Sequence, residues 1–268
     1  MIEPKFIPRR FGKLTLTADF WSIHQVGIVG QFGAQNALVL DYLMRLQGSS
    51  NPNVIRAAVT PDDTAVFAGS GLAPAGAILQ IKDQFANLLP QTVQGVDLAL
   101  LYRINDTGIG DFDLNINAAR LTKYARENPP QVQTLFDARS AGTINAATPL
   151  TDGSDLIEVR GKPKWRVTGS LTWTLGQVQV GGFANFTSDV NDTNFLDASG
   201  NPYVIQGQTL FNLYAQYRFK GGALDNTRIR VGARNLFDKQ PPITADGYFG
   251  SLYNPYGRYW YVSIGKKF

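Results

Sequence analysis

The stretch KWRVTGSLTWTL at 164–175 constrains the fold more than any other part of the chain. Trp165, Val167, Gly169, Leu171, Trp173 and Leu175 alternate strictly with Lys164, Arg166, Thr168, Ser170, Thr172 and Thr174. Successive side chains of an extended strand point to opposite faces, so this is a strand with one apolar and one polar face. After Gly176 the pattern resumes as QVQVGGFANF, with Val178, Val180, Gly182, Ala184 and Phe186 on the apolar side. Two such strands joined across so tight a turn predict an antiparallel hairpin.

The same period recurs along the chain. Phe211, Leu213, Ala215, Tyr217 and Phe219 alternate with Asn212, Tyr214, Gln216 and Arg218, and Ile229, Val231 and Ala233 with Arg228, Arg230 and Arg234. Upstream, DFDLNINA at 111–118 and KLTLTADFW at 13–21 alternate cleanly, while VQGVDLALLYRI at 93–104 places Ala99 and Leu101 on its polar side. The final segment, RYWYVSIGKKF, sets Trp260, Val262, Ile264 and Phe268 on one parity. The expectation is about eight strands, each long enough to cross a hydrocarbon core when tilted.

The connections alternate as well. Short links (INDTGIG, Gly176, KGGALDNT) alternate with long ones at 30–75, 125–163, 188–207 and 238–257. Short turns at one end and long polar loops at the other are the pattern of a transmembrane β-barrel, with the short turns and both chain ends on the periplasmic side. Trp165, Trp173, Phe219, Tyr259, Trp260 and Phe268 are expected in aromatic girdles at the membrane interfaces. A soluble β-sandwich or β-helix also alternates, but strand length and turn asymmetry argue against it.

Composition narrows the function classes. Charged residues make up 17% of the chain, below the roughly 25% usual in soluble domains, while aromatic residues reach 12% and there are 27 glycines. The apolar runs, such as ALVL at 37–40, are far too short for a membrane helix. The absence of cysteine removes disulfides, thiol catalysis and zinc–thiolate sites. The 25 basic and 21 acidic residues are scattered without the clustered stripe that nucleic-acid binding needs. His24 is the only histidine, and Ser22 or Asp19 beside it on one strand gives no converging geometry, so neither a catalytic site nor a metal site is expected. GIG at 108–110 and GG at 181–182 read as turn or strand glycines rather than phosphate cradles. The start, MIEPKFIPRRFGK, has no apolar h-region, so a signal peptide is not expected there, and the chain is read as either intracellular or incomplete.

The segments VGARNLFDKQPP at 231–242 and GRYWYVSIGKKF at 257–268 give the chain a resemblance to the C-terminal part of TonB-dependent outer-membrane receptors. The most specific piece is the N-L-F-D-K stretch Asn235, Leu236, Phe237, Asp238 and Lys239, and LTADFWSI at 16–23 and VQGVDLALLY at 93–102 are similar to barrel-strand segments of the same family. The resemblance implies a fold: an all-β, antiparallel transmembrane barrel segment of about eight strands, the C-terminal part of a 22-stranded barrel. Residues 1–268 would then be a partial barrel domain, without the plug domain, the TonB-contacting segment and the signal peptide.

It also implies a role in the outer membrane of a Gram-negative bacterium: active uptake of a bulky ligand such as a siderophore, a cobalamin or an oligosaccharide, with no cofactor. The implied partners are outer-membrane lipid, the TonB-ExbB-ExbD system, and the assembly machinery through a C-terminal signal formed by Trp260, Val262, Ile264 and Phe268. Tyr248, Phe249, Tyr253, Tyr256 and Arg258 in the last long loop are candidate ligand contacts, since rings and a guanidinium stack on sugars or aromatic chelators. The same aromatics could instead pack the loop or sit in a girdle. The alternative to a receptor fragment is a small stand-alone eight-stranded barrel with a structural or adhesive role, closed over an inward network of Arg166, Arg218, Arg228, Arg230, Asp97 and Asp113.

Overall fold

The computed structural model describes residues 12–87, 90–150, 155–159, 161–244 and 247–267. The first elements are β1 (Lys13–Gln25), β2 (Val29–Gln31), α1 (Ala34–Leu46), β3 (Val54–Arg56), α2 (Pro61–Val66), β4 (Ile78–Ile81), β5 (Phe85–Asn87), β6 (Gln91–Thr107), β7 (Gly110–Arg126) and α3 (Pro130–Ser140). They are followed by β8 (Trp165–Leu175), β9 (Val178–Thr187), β10 (Val190–Leu196), β11 (Pro202–Ile205), β12 (Gln208–Arg218), β13 (Thr227–Arg234) and β14 (Tyr259–Lys266). The chain divides into two compact units.

The first unit contains residues 1–22, 94–123 and 157–268. Its eight-stranded sheet has the order β1-β6-β7-β8-β9-β12-β13-β14, so the eight alternating segments of the sequence are its strands, laid down in chain order. The register explains why the alternation matters. Leu114 lies opposite Leu171, Leu171 opposite Gly182, Gly182 opposite Leu213, Leu213 opposite Ala233 and Ala233 opposite Trp260. A parallel row runs through Phe112, Trp173, Val180, Ala215, Val231 and Val262. A slip of one residue in any pairing would carry a whole strand's apolar set to the other face, so the pattern fixes the register.

This apolar face is not a core. Trp260, Val262 and Ile264 are 68%, 67% and 70% exposed, and Leu171, Leu213 and Val231 are exposed too. A continuous apolar face of this size is unfavourable in water and suited to hydrocarbon. At its long-loop end Arg120 lies over the Trp165 ring, 5.3 Å from the centroid, as a cation does when its stem lies along apolar surface and its head reaches for the interface. Tyr259 departs from the expected girdle: it lies opposite Arg234 on the polar face, because its parity is that of Tyr261 and Ser263.

Strands β6 and β7 run farther than the clean alternation, and their link is only Gly108–Ile109 rather than the whole INDTGIG segment. A 3₁₀ turn at Gly222–Leu224 sits between β12 and β13, and β10 pairs with β11 within the third long connection.

The second unit contains residues 23–93 and 124–156. The sequence reading treats most of this stretch as loop, yet it folds around a core of its own. Val39 and Leu43 of α1 meet Leu135 of α3 and Ile144, with Phe32, Leu40, Ala138 and Leu150 packed against them. Asp41 is buried and held by Arg56 at 2.7 Å and by the Asn51 backbone N–H at 2.9 Å. Asn51 in turn donates to the Ala37 carbonyl at 3.0 Å, so a buried charge is fully engaged. Helix α2 begins with a reciprocal capping box between Thr60 and Asp63. The Thr60 hydroxyl, and after it the Thr60 backbone N–H, hold the Asp63 carboxyl below the usual carboxylate range.

Candidate functional site

The side of the sheet opposite the apolar rows is polar and carries the groups with binding potential. One crevice of about 400 Å³ on it is lined by Asp19, Asp97, Asn117, Arg166 and Thr168. A second, of similar volume, is lined by Lys13, Thr15, Arg103, Asp113, Ser170 and Thr172, and Arg103 there forms an ion pair with Asp113. Ala99 and Leu101, which break the alternation of β6, line these two crevices.

Farther along, one row of the polar face reads Asp113, Thr172, Gly181, Tyr214, Gly232, Tyr261 from β7 to β14. Each tyrosine reaches over the glycine before it with the hydroxyl end of its ring. The Tyr214 ring occupies the space of a Gly181 side chain, and a Cβ on Gly232 would meet the Tyr261 Cζ and Oη at 2.6 Å. Glycine is thus required at both positions by the approach of a ring. Trp21 covers Gly95 in the same manner on β1 and β6.

The N-L-F-D-K stretch ends β13 and fastens β14. Asn235 adopts φ 48° and Asp238 φ 54°, which is why the alternation fails from Asn235 onward. The buried Asn235 amide donates to the Lys239 carbonyl at 2.9 Å and the Tyr256 carbonyl at 3.4 Å, while its Oδ1 accepts from the Lys239 N–H at 2.9 Å. Its backbone N–H donates to Asn212 Oδ1 at 2.9 Å on β12. Asp238 Oδ1 accepts from the Arg258 backbone N–H at 2.7 Å, and the exposed Phe237 ring packs edge-on to Phe211. The motif is a clasp that turns the chain out of β13 and fixes the residues leading into β14.

The family model for the TonB-dependent receptor-like β-barrel matches residues 10–236. The chain belongs to the TonB-dependent receptor family. Among solved structures, the siderophore receptor PiuA from Acinetobacter baumannii is similar, at 18% identity and a TM-score of 0.39, over 68% of this chain and 22% of that one. The chain therefore spans about a fifth of that receptor's length. A search of curated proteins gave no match. Members of the TonB-dependent receptor family are outer-membrane receptors and transporters rather than enzymes.

In this TonB-dependent receptor chain the five loop residues separate into two groups. Tyr253 is 4% exposed and packs with Val190 and Ile205 of the β10–β11 hairpin, joined by Phe249 and Leu252. Burial pushes the Tyr253 phenol above its ordinary range, and the Asp189 carboxylate pushes it the same way. These two rings therefore give the loop its shape. Tyr248 and Tyr256 are exposed, and Arg258 donates from its guanidinium to the Leu236 carbonyl at 3.3 Å. Trp260, Val262 and Ile264 lie together on the apolar face of β14, whereas Phe268 falls outside the described residues.

The expected inward network takes a different form. Asp113 pairs with Arg103, and Arg230 binds Gln216 and the Tyr214 ring instead of a carboxylate. The neighbouring strands offer Arg230 neutral partners, since β9, β12, β13 and β14 contain no Asp or Glu. Sequence reasoning also missed the Gly181–Tyr214–Gly232–Tyr261 row; its signal lies in hairpin register, which sets Tyr214 and Tyr261 beside glycines. Among the described residues no cluster of three or more His, Cys, Asp or Glu could hold a metal ion.

Proposed function

We propose that the chain forms a section of the wall of an outer-membrane TonB-dependent receptor that takes up a bulky ligand. The observation that carries the reading is the pair of opposed faces, apolar and exposed on one side, polar and creviced on the other, held in one register across the sheet. The apolar face suits lipid, and the polar face suits the lumen. The sheet order is linear with β1 and β14 at its ends, and strand edges in lipid require neighbours, so residues 1–268 are read as part of a larger barrel.

On this reading β14, through Trp260, Val262, Ile264 and Phe268, is the strand offered to the assembly machinery. Transport depends on the TonB-ExbB-ExbD system acting on the whole receptor. The ligand is of the siderophore, cobalamin or oligosaccharide kind, met first by the loop carrying Tyr248, Tyr256 and Arg258, whose form Phe249 and Tyr253 maintain.

A chimera tests it. The corresponding C-terminal strands of a TonB-dependent siderophore receptor are replaced by this chain, and outer-membrane insertion and TonB-dependent growth on the ferric siderophore are measured. Insertion with TonB-dependent growth supports the reading, and failure to reach the outer membrane refutes it. Because the chain lacks cysteine, a Leu16→Cys/Val262→Cys variant adds a direct check. An efficient disulfide within one chain in vesicles would mean that β1 and β14 meet, as in a small closed barrel.

A further inference from the structure

The apolar face changes character at its short-turn end. Its last full row there is Val178, Tyr217, Ile229 and Ile264, each directly opposite the next, and Val178, Tyr217 and Ile264 are exposed. Two residues farther along, about 7 Å at the usual rise per residue, the same face carries Phe219, Thr227 and Lys266. Thr227 lies opposite Lys266, and its carbonyl accepts from the Phe219 N–H at 2.8 Å. The Phe219 ring packs edge-on to Tyr217, with centroids 4.9 Å apart. On the apolar face of β9, β12, β13 and β14, Lys266 is the only charged residue. Its Nζ donates to the Ala223 carbonyl at 3.1 Å, which draws the ammonium toward the turn between β12 and β13.

The turn and the end of β14 add two more ammoniums and an apolar tip. Lys220 and Lys267 are exposed and form no ion pair among the described residues, and Leu224 is exposed in the 3₁₀ turn. The acid of this turn, Asp225, is engaged within it: one carboxylate oxygen accepts from the Gly221 N–H at 2.6 Å and the other from the Asn226 amide at 3.1 Å. The Thr227 hydroxyl, across from Lys266, is buried without a hydrogen-bond partner among the described residues. A buried hydroxyl left unpaired is unfavourable, so an acceptor supplied by a ligand is favoured there. A lysine that only reached for water would need neither that hydroxyl nor two further ammoniums beside it. An exposed apolar row ending in these groups matches a molecule that is apolar at one end and an oxygen anion at the other.

We propose that the short-turn end of β12, β13 and β14 binds an anionic phospholipid, with its acyl chains along Val178, Tyr217, Ile229 and Ile264 and its phosphate at Lys266, Thr227 and Lys220. The inference rests on the receptor reading, which puts the apolar face in lipid, and adds a lipid of defined charge at one place on it. A phosphate oxygen accepts from an ammonium and from a hydroxyl alike. Lysines at a membrane surface favour anionic headgroups, whereas a zwitterionic headgroup offsets its phosphate with its own cation. Tyr217 and Phe219 stand between the two parts of the site, at the level where aromatic rings settle in a bilayer.

The test uses the full chain in detergent micelles and native mass spectrometry, with phosphatidylglycerol and phosphatidylcholine of the same acyl chains titrated separately. The first phosphatidylglycerol is expected to bind about tenfold more tightly than the first phosphatidylcholine. Lys266→Gln and Lys220→Gln are each expected to weaken phosphatidylglycerol binding about fivefold, and Thr227→Val about threefold, with phosphatidylcholine unaffected. Lys266→Arg, which keeps the charge, retains the preference, and Lys123→Gln, near the opposite end of β7, leaves it unchanged. Equal binding of the two lipids, or a preference that Lys123→Gln lowers as much as Lys266→Gln does, overturns the proposal. If glycerol 1-phosphate displaces the lipid at equal concentration, the site takes a free phosphate and the proposal also falls. Failure of the receptor reading shows separately, in a chimera that does not reach the outer membrane while the chain in micelles keeps its preference for phosphatidylglycerol.

Discussion

Replacing Gly232 by alanine adds one methyl group beneath the Tyr261 ring. Two effects of opposite sign then compete. Glycine within a strand is worse than alanine by about 0.5–1 kcal/mol, through the entropy it loses on folding, so an unobstructed site would gain from the change. Here the new Cβ would stand 2.6 Å from Cζ and Oη of Tyr261 and 2.7 Å from Cε1. Ordinary carbon contacts need about 3.5–4.0 Å, so the ring must lift by roughly 1 Å, losing its dispersion contacts with the strand. It would also disturb the contact with Arg234, whose guanidinium lies 5.9 Å from the ring centroid. Overpacking of this kind costs about 1–3 kcal/mol, and the lower part of that range applies because a tyrosine ring can tilt.

The net expectation is that Gly232→Ala destabilises the sheet by about 1 kcal/mol. In a Tyr261→Ala background the obstruction is gone, and the same substitution is expected to stabilise by about 0.5–1 kcal/mol. The assay is urea unfolding of the chain in detergent micelles, followed by tryptophan fluorescence, with the four single and double variants closing a cycle. A Gly232→Ala protein as stable as wild type, or a substitution effect of the same sign with and without Tyr261, refutes the ring-over-glycine account.

Other substitutions address the remaining features. Asn235→Ala removes the clasp bonds to Lys239 and Tyr256 at a residue with φ 48° and is expected to cost about 2–3 kcal/mol. Asn235→Gly, which keeps the backbone conformation, should recover part of that loss in the same unfolding assay. Val262→Lys on the apolar face should reduce folding into lipid vesicles by about 2–4 kcal/mol, while Ser263→Glu, opposite Arg230 on the polar face, should be tolerated, as read by heat-shifted mobility on gels. The Tyr253 hydroxyl is buried without a hydrogen-bond partner among the described residues, so Tyr253→Phe should be neutral or stabilising by about 1 kcal/mol. Because the folded state raises the Tyr253 pKa above its ordinary value of 10.0, the stability tied to the neutral phenol is complete below that pH. It is lost as pH rises through the folded value, and an alkaline transition of the loop should be present in wild type and absent in Tyr253→Phe.

The eight-stranded sheet is legible in its sequence because its two faces differ, one apolar and one polar. That contrast puts a period of two onto each strand, and Trp165–Leu175 shows it without exception. Legibility fades where that contrast ends. Beyond Ala118, β7 continues through Ala119, Arg120 and Leu121, and the parity rule no longer picks out a face, although the strand itself runs on to Arg126. The helices were hidden for a related reason. Val39 and Leu43 face Leu135 across a small core, so α1 needs only a few apolar positions, and ALVL reads as a short run in a polar loop. The failed alternation at Asn235 was visible, but its cause, two non-glycine residues with positive φ bound to Lys239 and Arg258, is a matter of three dimensions. The loop candidates mixed two roles because an aromatic that packs and one that stacks on a ligand are the same letter; burial separates Tyr253 from Tyr256.

The shared core of α1 and α3 bears on how such receptors diversify. One helix comes from the connection after β1 and the other from the connection after β7, with the whole of β6 and β7 between them in the chain. Recombination that exchanged the first connection alone would leave Leu135 and Ile144 facing a foreign surface. The heritable module is therefore the two connections together, and sequence change at the helix contact in one connection should be matched by change in the other.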